Sequence, residues 1–302
     1  MMLAESPPGR DPSAGYIHRS VPEIPGGLAE HHFALSSGLR THYVRAGDGA
    51  AVVLLHGWPQ NWWMWRYLIP PLAERHLVVC PDIRGLGRSD PGHDGAAYRL
   101  DRLAYDLVNL LDQLGLECVS LVGHDWGTAI GYEACLGWPH RFRRFVALAG
   151  IPPWLVRRSP VTLARRLWHI PAIAALGSIS IPRLARRALR DWRHVGSFSD
   201  EECDAYLAVF RQPEARAATV HFYRNLVVRE PMRYLSRSGR RQLMVPTLHL
   251  NGRHDHHFQR VPEAEPSQAV DFTFDVLPCG HFVAEEIPQP LLARLLDFLD
   301  RA

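Results

Sequence analysis

The sequence predicts an α/β fold, in which a mostly parallel β-sheet has helices on both faces. Short continuous apolar runs at residues 51–55, 77–80 and 119–122 are typical of strands that are buried on both faces. Leucines at helical spacing fill residues 100–114, between two of these runs. Because strand-like and helix-like segments alternate, we expect parallel strands that are joined by helices.

The other elements follow from the same patterns along the chain. Two short runs, residues 30–35 and 39–45, flank a Ser-Ser-Gly segment and predict a hairpin at the start of the sheet. Leucine spacing over residues 291–299 predicts an amphipathic helix that closes the chain. Further strands are predicted at residues 145–148, 247–250 and 272–277.

The pattern changes over residues 151–239, where strand-like runs give way to arginine, tryptophan and short helical pieces. We therefore expect a helical cap, or lid, that is inserted into a core formed by residues 21–150 and 240–302. Residues 1–20 are rich in proline and lack the apolar segment of a signal peptide, which predicts a loose N-terminal tail.

The composition of the chain limits which kinds of binding partner are expected. The formal net charge of the 302 residues is only +3, so no general case exists for binding nucleic acid. No apolar run approaches the roughly 18 residues that a membrane-spanning helix needs. The arginines of residues 157–193 predict a solvated helix face, with contact to anionic lipid as the alternative. Five cysteines without C-x-x-C spacing favour a reduced, cytoplasmic protein.

The segment Gly123–Gly127 has the spacing of a nucleophile elbow, but its central residue is Asp125 rather than serine. An apolar strand precedes it and a helix-like segment follows, which is the context of the strained strand-to-helix turn. Aspartate attacks carbon to give an alkyl ester, which water must then hydrolyse. The residue type therefore favours the opening of a carbon–oxygen or carbon–halogen bond. An ordinary turn aspartate is the alternative.

Two further residues complete a possible triad in the order nucleophile, acid, histidine. Asp255 and His281 each follow a predicted strand, at the sheet edge where catalytic groups of α/β proteins gather. His281 is expected in an exposed loop, where it acts as general base on water, and Asp255 orients its imidazole ring. The backbone N–H groups of Trp58 and Trp126 are the candidates for the oxyanion hole.

A metal site is the alternative interpretation of the segment around Asp255. His254, His256 and His257 surround Asp255, but adjacent residues rarely converge on one ion, and no second group of ligands follows at ligand spacing. No acidic side chain follows the predicted strand at residues 145–148, where such triads sometimes take their acid. Neither a metal nor a cofactor is therefore expected.

Five motifs together resemble the α/β-hydrolase-fold epoxide hydrolases, the branch with an aspartate nucleophile that is related to haloalkane dehalogenases. The motifs are H-G-x-P at His56–Pro59, D-x-R-G-x-G-x-S-D at Asp82–Asp90, G-H-D-W-G at Gly123–Gly127, G-x-x-D at Gly252–Asp255, and Gly280-His281. The resemblance covers the chain from about Leu54 to its end. It implies the α/β-hydrolase fold, a mostly parallel eight-stranded sheet with helices on both faces and an inserted helical lid.

The resemblance also implies acidic cap side chains that donate to the epoxide oxygen. The family signature of an aromatic pair followed by Arg-Asn occurs at Phe222–Asn225, which makes Tyr223 one donor. The second donor normally lies early in the cap, where this chain has no tyrosine and His169 is the best match. A histidine donor would add a group that titrates near neutral pH. Tyr223 could instead be core packing, and His169 a packed or solvated histidine.

The predicted function is the conversion of a hydrophobic epoxide to a vicinal diol through an ester on Asp125. The expected pocket lining is Trp58, Trp126, Tyr223 and Phe282, and the protein is expected to be a monomer or a homodimer. The alternative enzyme is a haloalkane dehalogenase, in which the Trp126 indole would bind halide, although the asparagine usual at position 58 is absent. A catalytically silent receptor for a hydrophobic ligand is the alternative without catalysis.

Overall fold

A computed structural model describes residues 24, 29–36, 38–154, 177–230, 241–255 and 268–301. Its centre is an eight-stranded sheet with the strand order β1-β2-β4-β3-β5-β6-β7-β8, which confirms the predicted fold class. The tail predicted at residues 1–20 lies outside the described residues. The strands are Glu30–Ser36 (β1), Leu39–Ala46 (β2), Ala50–Leu55 (β3), His76–Pro81 (β4), Val119–His124 (β5), Phe142–Leu148 (β6), Thr247–Gly252 (β7) and Phe272–Leu277 (β8).

The sheet is antiparallel only at one edge. Strand β1 pairs with β2, and β2 with β4, in antiparallel fashion, whereas all other neighbouring pairs are parallel. Every residue of β5 and β7 is buried, as expected for strands with helices on both faces. The carboxyl ends of β3, β5, β7 and β8 therefore meet at one edge of the sheet.

Helices cover both faces of the sheet, and the buried apolar side chains form two layers. Helices α2 and α3 pack on one face, where Leu107 and Ile130 lie in the same layer as Phe145 of β6. The other face carries α1 and α8. The described helices are Ile69–Ala73 (α1), Leu100–Gln113 (α2), Trp126–Gly137 (α3), Ile181–Asp191 (α4), Asp200–Leu207 (α5), Pro213–Val228 (α6), Val283–Glu286 (α7) and Pro288–Leu299 (α8).

Helices α4, α5 and α6, called the cap helices below, lie between β6 and β7 in the chain. A buried polar cluster joins them to the core. The Tyr206 hydroxyl of α5 donates to Glu285 Oε1 at 2.7 Å, and Arg66 bonds to both Glu285 and Glu202. Buried charges require such partners, so the cluster fixes where α5 sits on the core.

The described residues contain no helix that is long and apolar enough to cross a membrane. The five cysteines are free thiols, and only Cys118 is exposed among them.

A buried carboxylate supports the loop that follows β4. Asp82 accepts backbone N–H bonds from Trp62 and Arg88, each at 2.9 Å, and lies 2.7 Å from His42 Nδ1. The N–H of Ile83 donates to His56 Nε2 at 2.9 Å, while His56 Nδ1 donates to the carbonyl of Gly57. The loop after β4 and the turn after β3 are thereby held together.

We expect Gly87→Ala to destabilise the protein by more than the backbone conformation alone requires. Gly87 has φ +54°, and a Cβ there would lie 2.1 Å from the Asp82 carboxylate. Strain and overpacking together should cost about 2–4 kcal/mol of the free energy of unfolding. Gly115→Ala is the matched control, because Gly115 has φ +66° with nothing within 4 Å of its Cβ position. Equal losses in the two variants, measured by chemical denaturation, would contradict the steric argument.

Candidate active site

The candidate nucleophile, Asp125, occupies a sharp turn between β5 and α3. Its backbone has φ 51° and ψ −110°, a conformation that residues other than glycine rarely adopt. The glycines of this turn lie so close to neighbouring backbone atoms that there is no room for a Cβ on either of them. A Cβ at Gly123 would lie 2.4 Å from the Gly127 carbonyl oxygen, and one at Gly127 would lie 2.0 Å from that of Leu55. This geometry presents the carboxylate at the carboxyl edge of the sheet.

The turn after β3 reaches over the same carboxylate. The Trp58 N–H donates to Asp125 Oδ1 at 3.0 Å, and the Trp58–Pro59 peptide bond is cis. A Cβ at Gly57 would lie 2.5 Å from Asp125 Cβ, so only glycine permits this approach. The Trp126 N–H also bonds to the Asp125 carboxylate. The two backbone groups that the sequence predicted as an oxyanion hole therefore both face Asp125.

The structure brings His281 and Asp255 to the same place. His281 Nδ1 lies 2.8 Å from Asp255 Oδ2, and His281 Nε2 lies 3.8 Å from Asp125 Oδ2. The expectation that His281 is exposed was wrong, since it has 0% exposed surface. The ring of Trp192, at the end of α4, packs on it with 5.2 Å between centroids, and the ring of His124 packs from another side at 4.9 Å.

Burial dominates the electrostatics of Asp125. Loss of solvent raises the pKa of Asp125 to about 6, although the nearby His281 and the N–H groups of Trp126 and Trp58 oppose the rise. The carboxylate is thus the main form at neutral pH, but it is a stronger base than an exposed aspartate.

Negative charge dominates the electrostatics of His281. Burial lowers the pKa of His281, but the adjacent Asp255, with smaller contributions from Asp125 and Glu286, outweighs burial and raises the pKa above its usual value. The carboxylate of Asp255 therefore both orients the imidazole ring and stabilises its protonated form.

Tyr223, on α6, lies over the carboxylate. Its ring makes edge contacts with Trp58 and Trp126, both with 5.6 Å between centroids, and its hydroxyl is hydrogen-bonded to the Trp126 side chain. Burial and the charge of Asp125 raise the pKa of Tyr223 well above 10. Asn225 of the same motif donates to the Gly95 carbonyl at 2.8 Å, which fixes this end of α6 on the core.

Of the other two predicted site residues, His169 and Phe282, the structure describes only Phe282. His169 lies outside the described residues. Phe282 is fully buried and packs against Phe198, with 5.3 Å between centroids, and against the ring of His281 at 5.1 Å. Its ring therefore supports the histidine from the side of the core.

Three residues outside the predicted catalytic set contact the loop that carries His281. His124 Nε2 donates to the His281 carbonyl at 2.9 Å, and burial lowers the pKa of His124 to about 3, so that the ring is neutral. Trp192 and Glu286 approach from the cap and from α7. The position of His124 next to the nucleophile elbow could have indicated that it belongs to the site. No local sequence pattern indicates Trp192, because its contacts depend on how the cap folds back onto the core.

The Asp255 carboxylate is engaged by His281, and the histidines at 256 and 257 lie outside the described residues. No group of three or more His, Cys, Asp or Glu side chains in the described part of the chain converges as a metal site.

Comparison with known proteins places this arrangement in a family. Residues 50–288 match the family described as the alpha/beta hydrolase fold. The chain is similar to the soluble epoxide hydrolase of Corynebacterium sp. (strain C12), with 33% identity over 285 residues, 89% of this chain and 96% of that protein. It is similar to epoxide hydrolase 3 of Mus musculus, with 28% identity, 97% of this chain and 82% of that protein. The solved structure of the epoxide hydrolase CorEH without ligand matches with a TM-score of 0.78 and 31% identity, over 90% of this chain and 98% of that one.

We expect Asp255→Asn to lower the pKa of His281. The substitution removes the largest of the charges that raise this pKa and leaves the burial that lowers it, so the imidazole should titrate at a lower pH than in wild type. Nuclear magnetic resonance of the histidine ring against pH measures the change. Asp48→Asn is the control, because Asp48 is on the surface with 98% of its side chain exposed. A His281 pKa that is the same in Asp255→Asn and wild type would contradict the assignment of Asp255.

Proposed function

Because this chain belongs to the epoxide hydrolases of the α/β hydrolase fold, we propose that it opens a hydrophobic epoxide by direct attack of Asp125 and releases a vicinal diol. The observation that carries this proposal is the position of the Asp125 carboxylate. Its Oδ1 is held by Trp58 N–H at 3.0 Å, its Oδ2 lies 3.8 Å from His281 Nε2, and the Tyr223 ring packs on Trp58 and Trp126 beside it.

In the first step, Asp125 Oδ2 attacks one epoxide carbon and the carbon–oxygen bond of the ring breaks. The electron pair of that bond goes to the epoxide oxygen, which takes the phenol proton of Tyr223. The product is a hydroxyalkyl ester on Asp125. Because the pKa of Tyr223 is raised well above 10, its proton stays in place until the stronger base, an alkoxide, forms.

In the second step, His281 removes a proton from water, and the hydroxide attacks the carbonyl carbon of the ester. The N–H groups of Trp58 and Trp126 hold the negative charge that develops on Oδ1. When the ester bond breaks, the departing diol oxygen takes the proton from His281. The carboxylic acid left on Asp125 loses its proton, and Tyr223 regains one through solvent.

The apolar surroundings of the carboxylate support a hydrophobic substrate. Trp58, Trp192, Phe210 and Tyr223 pack ring against ring over this part of the sheet, with centroids 5.6–6.3 Å apart around Trp58. Such an aromatic wall favours an aryl or alkyl epoxide over a charged one. His169 stays a candidate for the second donor.

The contact between Tyr223 and Trp126 favours epoxide opening over haloalkane dehalogenation. A halide site needs the Trp126 indole as a donor to the leaving ion, whereas here the Trp126 side chain is hydrogen-bonded to the Tyr223 hydroxyl. The position after Gly57 holds Trp58 instead of the asparagine that would be the second halide donor. A phenol next to the carboxylate supplies a proton, which an epoxide oxygen needs and a halide does not.

We expect His281→Gln protein to accumulate the ester. Ring opening needs no base, but hydrolysis does, so intact-protein mass should rise by the whole mass of the epoxide. The Asp125→Asn variant is the control and should gain no mass. A gain equal to a haloalkane minus its halogen acid would support the dehalogenase instead. If His281→Gln gains no mass with a panel of aryl and alkyl epoxides, the covalent mechanism is wrong.

Ester formation in the wild-type enzyme should depend on pH through Asp125. The pKa of Asp125 is raised to about 6, so the reactive carboxylate is lost as the pH falls through that value. The rate of ester formation within a single turnover should decrease tenfold per pH unit below about 6. Above it, the rate should stay level to about pH 10, because Tyr223 keeps its proton. Quenched-flow mass spectrometry measures this rate, and a rate that is constant down to pH 4 would exclude Asp125 as nucleophile.

A further inference from the structure

The Glu286 carboxylate joins two segments of the chain that are far apart in sequence. Its Oε2 accepts the N–H groups of His194 at 2.9 Å, Val195 at 2.7 Å and Gly280 at 2.9 Å, and its Oε1 accepts that of Phe282 at 3.0 Å. Two donors belong to the turn that leaves cap helix α4, and two flank His281. Glu286 itself is buried, with 7% of its surface exposed.

Direct contacts between the two segments surround these bonds. The His281 N–H donates to the Trp192 carbonyl at 2.9 Å, and the Trp192 ring packs on the imidazole. Gly280 makes the approach possible, since a Cβ there would lie 2.7 Å from both the His194 nitrogen and the Trp192 oxygen. The residue before His281, the residue after it and the cap turn above it are thus fixed to one carboxylate or to each other.

We propose that Glu286 is a positioning residue for ester hydrolysis, which holds the cap turn and the His281 loop together so that Nε2 of His281 faces the Asp125 ester. This inference rests on the proposed function. In the described contacts Glu286 touches neither the reacting atoms nor Asp125, and its hydrogen bonds go to backbone N–H groups on both sides of His281 and in the cap turn. The first step, which uses Asp125 and Tyr223, should therefore not depend on it.

The charge of Glu286 provides a second, independent effect. Among the described residues, the charged or titratable side chains with the main effects on His281 include Asp255, Asp125, Glu286 and the neutral ring of His124. In the alkylated enzyme Asp125 is an uncharged ester, so Asp255 and Glu286 remain as the negative charges that raise the pKa of His281. Removal of the Glu286 charge should let His281 lose its proton at a lower pH.

The test compares Glu286→Gln and Glu286→Asp with wild type and with His281→Gln. Glutamine keeps the shape but presents an amide N–H₂ to one set of backbone N–H donors. We expect an unchanged rate of ester formation in Glu286→Gln and hydrolysis that is slower by about 10- to 100-fold, because a small displacement of a catalytic base has effects of this size. The ester should therefore accumulate during turnover, as seen by intact-protein mass.

The pH dependence of ester hydrolysis distinguishes a positioning role of Glu286 from a general loss of structural stability. For Glu286→Gln, the acid limb of ester hydrolysis should move to lower pH. For Glu286→Asp, which keeps the charge on a shorter side chain, the rate should fall while the limb stays in place. Glu201→Gln, an exposed substitution on cap helix α5, is the control for loss of a cap carboxylate and should behave as wild type. Thermal unfolding of each variant verifies that it is folded, and Glu286→Asp carries the test if glutamine is not tolerated.

Two outcomes overturn the inference. One is hydrolysis by both Glu286 variants at the wild-type rate and pH profile. The other is an equal decrease in ester formation and hydrolysis, which would make Glu286 a structural residue only. Failure of the proposed function looks different, because His281→Gln would then form no ester with any epoxide.

Discussion

The site depends on a carboxylate that is kept ionised although most of its surface, all but 16% of the side chain, is removed from solvent. Burial alone would protonate Asp125, and it raises the pKa to about 6 even with two backbone N–H groups and His281 nearby. Hydrogen bonds to a charged group are each worth about 1.5–3 kcal/mol, which is the scale needed to hold such a charge in an apolar setting. Gly57, Gly123 and Gly127 follow from this requirement, because a side chain at any of them would push a donor or the elbow away.

The cap contributes more than a cover over the carboxylate. Tyr223 and Trp192 both come from the cap, and they bring a buried phenol to Asp125 and an aromatic ring to the side of His281. The buried cluster of Arg66, Glu202, Tyr206 and Glu285 ties a third cap helix, α5, to the core. Cap and core therefore act as one framework, and the electrostatics of His281 depend on both.

The sequence predicted those parts of the fold and of the site that depend on local sequence pattern. The strand that ends at Asp125 and the loops that hold Asp255 and His281 could be predicted, because apolar runs and glycines mark the ends of buried strands. Boundaries moved slightly, as for β6, which begins at Phe142 instead of the expected residue 145. The burial of His281 and the role of Glu286 could not be predicted, because each depends on a cap turn that meets the core only in three dimensions.

The chain order of the strands has a consequence for how the enzyme is made. Strand β7, which precedes Asp255, pairs with β6 across everything in residues 149–246, and β8, which precedes His281, comes later still. Synthesis from the N-terminus thus delivers Asp125 long before His281. A chain emerging from the ribosome can complete the elbow and the turn of Trp58, but Asp255 and His281 cannot join Asp125 until the last two strands have been added to the sheet. Pairing at such long sequence separation is intrinsically slow, so the gain of activity should be among the final events of folding.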